Sequence, residues 1–425
     1  MKRAILFLAG ASSLATASTD PVADSRALSA AALCGATNVT CQQSYISGAK
    51  DTTAAYKRVK ATYMAIRAAE VPPPPVPPPS PPPSPPPVID PSIPTTGLPV
   101  IASNLDVNSE LVATAIPPSA APDVVGAFRF ICGAGQISYD DPIVYPGQPG
   151  KSHLHQFFGN MLADAFSTYQ SLRTLGGSTC MSPLNRSGYW QPAMLNDKGQ
   201  VIRPDYVSIY YKRRVKTDPL CAKIGTACVD LPRGLRFVFG FNMLNMSAPP
   251  TGSAYYNCQG TGAIPGHYKT LVEVQAKCPA TAQIGFVISA PECWDGKNLD
   301  SADHRSHVAY TFDNHTDGIL RCPATHPYII PTFTMGSWYS QGATVEPWHL
   351  SSDVMPDGTV MTAGSTIHAD WFGAWDSGVQ DMWSANCIDR LLNCSAGDLG
   401  NGKRLKGSMM PAVPNPRIVP VPARP

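Results

Sequence analysis

The chain has 425 residues, twelve cysteines, 15% charged residues and a formal net charge of +2. That balance leaves no basic footprint for nucleic acid and no acidic tail. With 44% hydrophobic residues it can bury a sizeable core, and no later stretch reaches the roughly 18 apolar residues that would make a transmembrane candidate.

Met1-Lys2-Arg3, the apolar run Ala4 to Leu14 and the small-x-small Ala15-Thr16-Ala17 predict a signal peptide over residues 1–17. All twelve cysteines lie downstream and none forms a CxxC pair, so disulfides in an oxidising compartment are expected rather than a zinc ribbon. Spacing does not give the connectivity. Three pairs close short loops, though: Cys34 with Cys41, Cys221 with Cys228, and Cys387 with Cys394. The expected location is secreted and extracellular, or periplasmic or cell-surface in a bacterium. In a eukaryote, Asn38, Asn185, Asn245, Asn314 and Asn393 would be glycosylation acceptors.

Residues 18–71 form a first part. Asp51-Thr52-Thr53 caps a helix over Ala54 to Glu70, with Tyr56, Val59, Tyr63 and Ile66 at helical spacing. This small helical module reads either as an attachment or partner-binding element or as a partly ordered extension. Residues 72–96 are a linker whose first sixteen positions, 72–87, are almost wholly proline and serine. In polyproline II form they extend about 3.1 Å per residue, roughly 50 Å in all.

The main domain spans residues 97–425. Short β-branched and aromatic runs divided by Gly, Pro and Asn predict strands. They lie at Val125 to Cys132, Asp205 to Tyr211, Leu235 to Phe241, Ile284 to Ser289, His307 to Phe312, Tyr328 to Phe333 and Thr366 to Phe372. The best helix runs from about Ser377 to Leu392, with Val379, Met382, Trp383, Ile388 and Leu391 facing inward. Strands do not alternate with long helices, so a doubly wound parallel sheet is not expected. The expected fold is mostly β: a β-sandwich or jelly-roll-like domain with long disulfide-pinned loops and a C-terminal helix, preceded by the small helical module.

Three clusters carry the candidate chemistry. In His153-x-His155 an extended chain turns both imidazoles to one face, which suits a metal or a proton-transfer site. Gly147 completes a Gly-x5-His-x-His string superficially similar to the first cupin motif. The Glu that motif wants is missing from Gln156-Phe157-Phe158-Gly159-Asn160. The second cluster, Asp303-His304-Arg305-Ser306-His307, follows a polar loop with Glu292, Asp295 and Asp300. The third, His368-x-Asp370, again places two groups on one face, where the carboxylate could ligate a metal or orient an imidazole. Trp190, Trp294, Trp338, Trp348, Trp371 and Trp375 mostly sit in Gly/Pro/Ser-rich surroundings, as sugar-stacking loop residues would. Trp383 belongs to the core. Arg173 and Arg305 are candidate anion or hydroxyl anchors.

The strings His153-Leu154-His155-Gln156-Phe157-Phe158-Gly159-Asn160, Cys293-Trp294-Asp295-Gly296-Lys297-Asn298, Asp303-His304-Arg305-Ser306-His307 and His368-Ala369-Asp370-Trp371 resemble a large secreted family of fungi and bacteria. That family is a domain of unknown function, sometimes fused in fungi to carbohydrate-binding modules. The resemblance covers about residues 124–392. It implies an extracellular protein acting on or bound to polysaccharide, and supplies no mechanism. The usual pattern has Gly where Ala369 stands.

The favoured expectation is therefore a glycan-cleaving enzyme whose partner is an extracellular polysaccharide or cell-wall glycan. As a hydrolase it would use a carboxylate pair among Asp295, Asp303 and Asp370. As a lyase it would use His155, His307 and Tyr310, with Arg305 or a metal stabilising the developing charge. Substrate contacts would come from Arg305, Tyr310, Trp294, Trp371 and Arg173. A second expectation is a metal-dependent enzyme of other specificity, holding a divalent ion with His153, His155, His307 and His368, or with Asp370 in the set. The third is a non-catalytic glycan-binding protein.

Overall fold

The computed structural model describes residues 96–224, 227–313, 315, 317–343, 346–407 and 413–425. The expected signal peptide, helical module, Cys34–Cys41 pair and nearly all of the linker lie outside the described residues, as do Asn38 and Asn314. The chain divides into two compact units. Of one, only Val354–Val360 is described, a loop whose end residues bridge antiparallel. The other contains the sheets.

In chain order the strands that build its core are β1 (Val125–Cys132), β2 (Ile137–Ser138), β3 (His155–Gly159), β4 (Gly188–Pro192), β5 (Tyr206–Arg214), β6 (Arg236–Gly240), β7 (Ala254–Gly260), β8 (Ala282–Ser289), β9 (Thr332–Ser340), β10 (His368–Phe372) and β11 (Asn393–Cys394). A six-stranded sheet has the order β7-β8-β9-β5-β1-β11 and a five-stranded sheet the order β6-β10-β4-β3-β2. Pairing is antiparallel except between β1 and β11.

The two sheets pack face to face. Phe130, Ile209, Tyr211, Phe333 and Met335 from the larger sheet share one core with Phe158, Tyr189, Phe237, Phe239 and Trp371 from the smaller. Phe333 lies 5.3 Å from Trp371 and 5.6 Å from Phe239, ring centre to ring centre. Polar ties cross the same interface: the Tyr189 and Tyr211 hydroxyls are 2.9 Å apart, and Gln191 donates to the Tyr339 hydroxyl at 2.8 Å. Buried polar groups need such partners.

A second, smaller core covers the outer face of the five-stranded sheet. There Phe157, Trp190, Val238 and Phe372 meet Ile143, Ala163, Tyr169 and Leu172. Strands β3, β4 and β10 are consequently buried on both faces along their whole length. Such strands lose the in-out alternation that marks a half-exposed sheet.

The mostly β expectation holds, with local differences. The run expected as one strand over His307 to Phe312 gives only Val308–Ala309 and Phe312–Asp313. Tyr328 to Phe333 splits into Tyr328–Ile329 and β9, around Pro331, which has no N–H to donate. The C-terminal helix is α only over Ser377–Trp383, capped by Asp376, and continues as a π turn over Ser384–Ile388. Leu391 has φ 52° and lies beyond the helix.

Five disulfides join the described cysteines. Cys221–Cys228 and Cys387–Cys394 are two of the expected short loops, and Cys132–Cys180, Cys258–Cys278 and Cys293–Cys322 complete the set. Among the described residues no helix is long and apolar enough to cross a membrane. The disulfides fit an extracellular protein. Asn185 is fully buried and donates to the Tyr189 hydroxyl, which removes it as a glycosylation acceptor, whereas Asn245 and Asn393 are exposed.

Candidate metal centre

Strand parity builds the site. Along β10, Ala369 and Trp371 enter the core between the sheets, so His368, Asp370 and Phe372 point to the outer face. Along β3, Phe158 enters that core while His155 and Phe157 point outward. Pro192 of the intervening β4 is the register partner of His155. His153 precedes β3, and its ring centre lies 4.2 Å from that of His155 and 5.1 Å from that of His368. Asp141 arrives from the loop between β2 and β3. Its Oδ1 accepts the N–H groups of Ile143 at 2.9 Å and Val144 at 2.8 Å, which fixes the carboxylate in a tight turn.

Two overlapping groups of ligand atoms result: His153, His155 and His368, and Asp141, His155 and Asp370. Within each group the atoms lie within 4.8 Å of one another. Bonds of about 2.0–2.2 Å to one ion hold neighbouring ligand atoms at most about 4.4 Å apart, so either group is near the spacing one ion requires.

The protons are arranged for ligation. His155 Nδ1 is 3.0 Å from the Asp140 carbonyl and His368 Nδ1 is 2.8 Å from the Thr366 carbonyl. A carbonyl only accepts, so both Nδ1 atoms carry the proton and both Nε2 atoms keep a lone pair. His155 Nε2 and His153 Nε2 are buried without a hydrogen-bond partner among the described residues. Asp370 is 1% exposed and neither of its carboxylate oxygens has a hydrogen-bond partner among the described residues. Native proteins rarely leave such atoms unpaired unless an ion or water completes them.

Burial sets the charge states. It holds His153 well below the usual imidazole range, lowers His155, and pushes His368 down to about 3. All three are neutral, the form that binds a metal. Burial also raises Asp370 well above the usual carboxylate range. The nearby Asp141 adds to this and the Arg305 guanidinium opposes it. Asp141 is raised by burial too, against the pull of His155 and its two amide bonds.

The profile of a family described as "Domain of unknown function (DUF1996)" matches residues 141–375, more than half of the chain. The chain belongs to that family. The match opens at Asp141 and includes every residue of both ligand groups. No curated protein and no solved structure matches the chain.

Arg305 supports the backbone beside these ligand groups. Its Nη1 donates to the Gly240 carbonyl at 3.2 Å and its Nη2 to the Phe241 carbonyl at 2.9 Å. Gly240 has φ 92°, and a Cβ there would stand 2.7 Å from both the Ile367 carbonyl and His368 Cα. Glycine is therefore what lets β6 lie against the start of β10.

Other sequence candidates are placed in the scaffold and outside both ligand groups. His307 spends both ring nitrogens, one with the Ser301 hydroxyl at 2.8 Å and one with the Arg236 carbonyl at 2.9 Å. Asp303 accepts from Ser301, Arg305 and Ser306 and so shapes the loop that carries Arg305. Burial would raise its carboxyl, but these bonds hold it well below the usual range. Asp295 accepts from the Lys297 and Asn298 amides. Arg173 is buried in an ion pair with Asp376 at 3.1 Å. Tyr310 donates to the Ser289 carbonyl at 2.8 Å, and burial raises its hydroxyl further.

All seven tryptophans, Trp294 and Trp371 included, are buried at 9% exposure or less. The expected surface stacking platforms are core residues. Ala369 likewise faces the inter-sheet core, on the side of β10 away from His368 and Asp370. Asp141 escaped the sequence reading. Its one local signal is the Asp140-Asp141-Pro142 turn shortly before His153, and only the folded loop brings it to Asp370.

Proposed function

We propose that the protein is an extracellular metal-dependent enzyme whose centre is formed by His153, His155, His368 and Asp370, with Asp141 beside them. The observation that carries this reading is the Asp370 carboxylate, buried with neither oxygen paired among the described residues, in one ligand group with Asp141 and His155, and His155 in turn shares a second group with His153 and His368. A mixed imidazole and carboxylate set suits zinc, iron or manganese. Bound there, such an ion would supply Lewis acidity and an activated water. The chain's own groups would do the rest. The Asp140 and Thr366 carbonyls fix the imidazole tautomers, and Arg305 favours the ionised form of Asp370.

The substrate class we assign is an extracellular or cell-wall polysaccharide. Support for it comes from the expected signal peptide, the disulfides and the family resemblance, and no longer from tryptophan platforms.

The first test is metal content and titration of the oxidised full chain, wild type against His155→Ala and His368→Ala. One tightly held equivalent in wild type, lost in both variants, is the expected result. Absence of uptake of zinc, manganese and iron would falsify the reading. The loaded protein is then screened on neutral, acidic and amino-sugar polymers, following new reducing ends and the ultraviolet absorbance of unsaturated products. Reducing ends alone mark hydrolysis, and both signals mark a lyase. Silence on all of them, with metal bound, removes the polysaccharide assignment and leaves the metal centre.

A further inference from the structure

Arg424 stands beside the centre without an assigned role. Two anchors bring it there. Ile418–Pro420 pairs antiparallel with Gln200–Ile202, and Val419 and Val421 pack with Tyr139 and Leu154 in a small core. The guanidinium then lies 4.3 Å over the Tyr139 ring, and its Nη1 donates to the Gly150 carbonyl at 2.6 Å. Both contacts adjoin the ligand segments. Tyr139 precedes Asp140, whose carbonyl holds His155, and the Tyr139 carbonyl accepts from Ser152, next to His153.

Arg424 is incompletely used. Its Nε is buried without a hydrogen-bond partner, and no Asp or Glu pairs with it among the described residues. The acid on this rim, Asp140, accepts the Gly150 N–H at 3.0 Å through Oδ1. Lys151 adds a second positive charge, 5.1 Å over the Tyr145 ring. Arg424 also stands near enough to His153 for its charge to be felt there. His153 is only partly buried, whereas His155 and His368 are buried. An ion held by the three imidazoles would therefore present its accessible side toward His153 and Arg424.

We infer that Arg424 makes the His153 side of the centre a subsite for an oxyanion, a carboxylate or phosphate group on the molecule the protein acts on. A partly exposed guanidinium without a carboxylate partner among the described residues suits a planar carboxylate or a phosphate. The inference rests on the metal reading above and names the class of ligand it would take.

The test uses the oxidised full chain loaded with cobalt(II), whose visible absorption reports on its ligands. Acetate and inorganic phosphate are titrated separately into wild type, Arg424→Ala and Arg424→Lys. Cobalt uptake should be equal in all three. At least one anion should shift the wild-type bands, and its half-saturating concentration should rise roughly tenfold or more in Arg424→Ala, with Arg424→Lys between. Acetate alone would mark a carboxylate subsite, and phosphate alone a phosphate subsite. Equal anion responses in wild type and Arg424→Ala, or none in wild type, overturn the inference and leave the metal centre standing. Failure of all three to take up cobalt sinks both.

Discussion

The imidazoles of His153 and His368 meet with ring centres 5.1 Å apart at an interplanar angle of 76°. One comes from the segment leading into β3, the other from the first position of β10, and β4 runs between those two strands. Neither segment alone makes a site. The five-stranded sheet does so by holding two same-face patterns, His153-x-His155 and His368-x-Asp370, at one end of its outer face.

Asp370→Asn should separate ligation from folding. In the metal-free protein one unpartnered buried polar group replaces another, so chemical denaturation should give a stability within about 1 kcal/mol of wild type. Metal affinity should fall at least about tenfold. In saturating metal the two should differ clearly in melting temperature, because an ion at about 100 times its Kd adds roughly 2.7 kcal/mol. Equal metal-induced shifts in both proteins would remove Asp370 from the ligand set.

Gly240→Ala should damage the centre from outside it. The added methyl would stand 2.7 Å from the Ile367 carbonyl and from His368 Cα, at a φ of 92°. We expect a loss of about 1–3 kcal/mol in denaturant, together with weaker metal binding, since the displaced backbone carries His368. A variant as stable as wild type would show that β6 and β10 can separate freely there.

Asp303 should make the Arg305 loop acid-sensitive. Its folded carboxyl is held below the ordinary value of 3.8 by the Ser306 and Arg305 amides and the Ser301 hydroxyl, despite burial. A depressed carboxyl contributes stability above its unfolded value, and that contribution is lost as pH falls through the folded one. Wild type should therefore exceed Asp303→Asn in melting temperature at neutral pH, with the gap narrowing steadily as pH falls below about 4. A gap that does not change with pH would refute this assignment.

The Cys293–Cys322 disulfide closes a 29-residue separation that contains the whole Arg305 loop. Replacing both cysteines by alanine should cost about 3–4 kcal/mol if the bond acts mainly on the unfolded chain. Denaturation of the double variant under non-reducing conditions measures it. Loss of metal affinity beyond that expected from lower stability would show that the loop's position, and not only its presence, matters to Asp370.

Much of this was legible in the residues. Val125 to Cys132 reads as a strand and is one, end to end. The two same-face pairs are visible as His-x-His and His-x-Asp. Other parts are hidden for physical reasons. Gly188–Pro192 has no alternation to read because cores lie on both of its faces. Trp294 and Trp371 sit in polar-looking strings, yet strand parity turns Trp371 inward, and Trp294 is held by its indole N–H on the Asn298 carbonyl. His307 has the same composition signal as His155. Only its two satisfied nitrogens set it apart, and hydrogen bonds formed in the fold leave no mark in residue order. Asp141 joins the centre through a loop whose path is set by the small outer core.

That outer core also bears on time. Ile143, Tyr169 and Leu172 cover the outer face of the five-stranded sheet and His155, His368 and Asp370 are buried, which leaves the partly buried His153 as the way into the centre. An ion inside it would leave past His153, at the rate at which that one side opens. Stripping by a chelator should then follow first-order kinetics whose rate constant stops rising with chelator concentration. Retention would be governed by the slowness of opening as much as by the strength of the bonds.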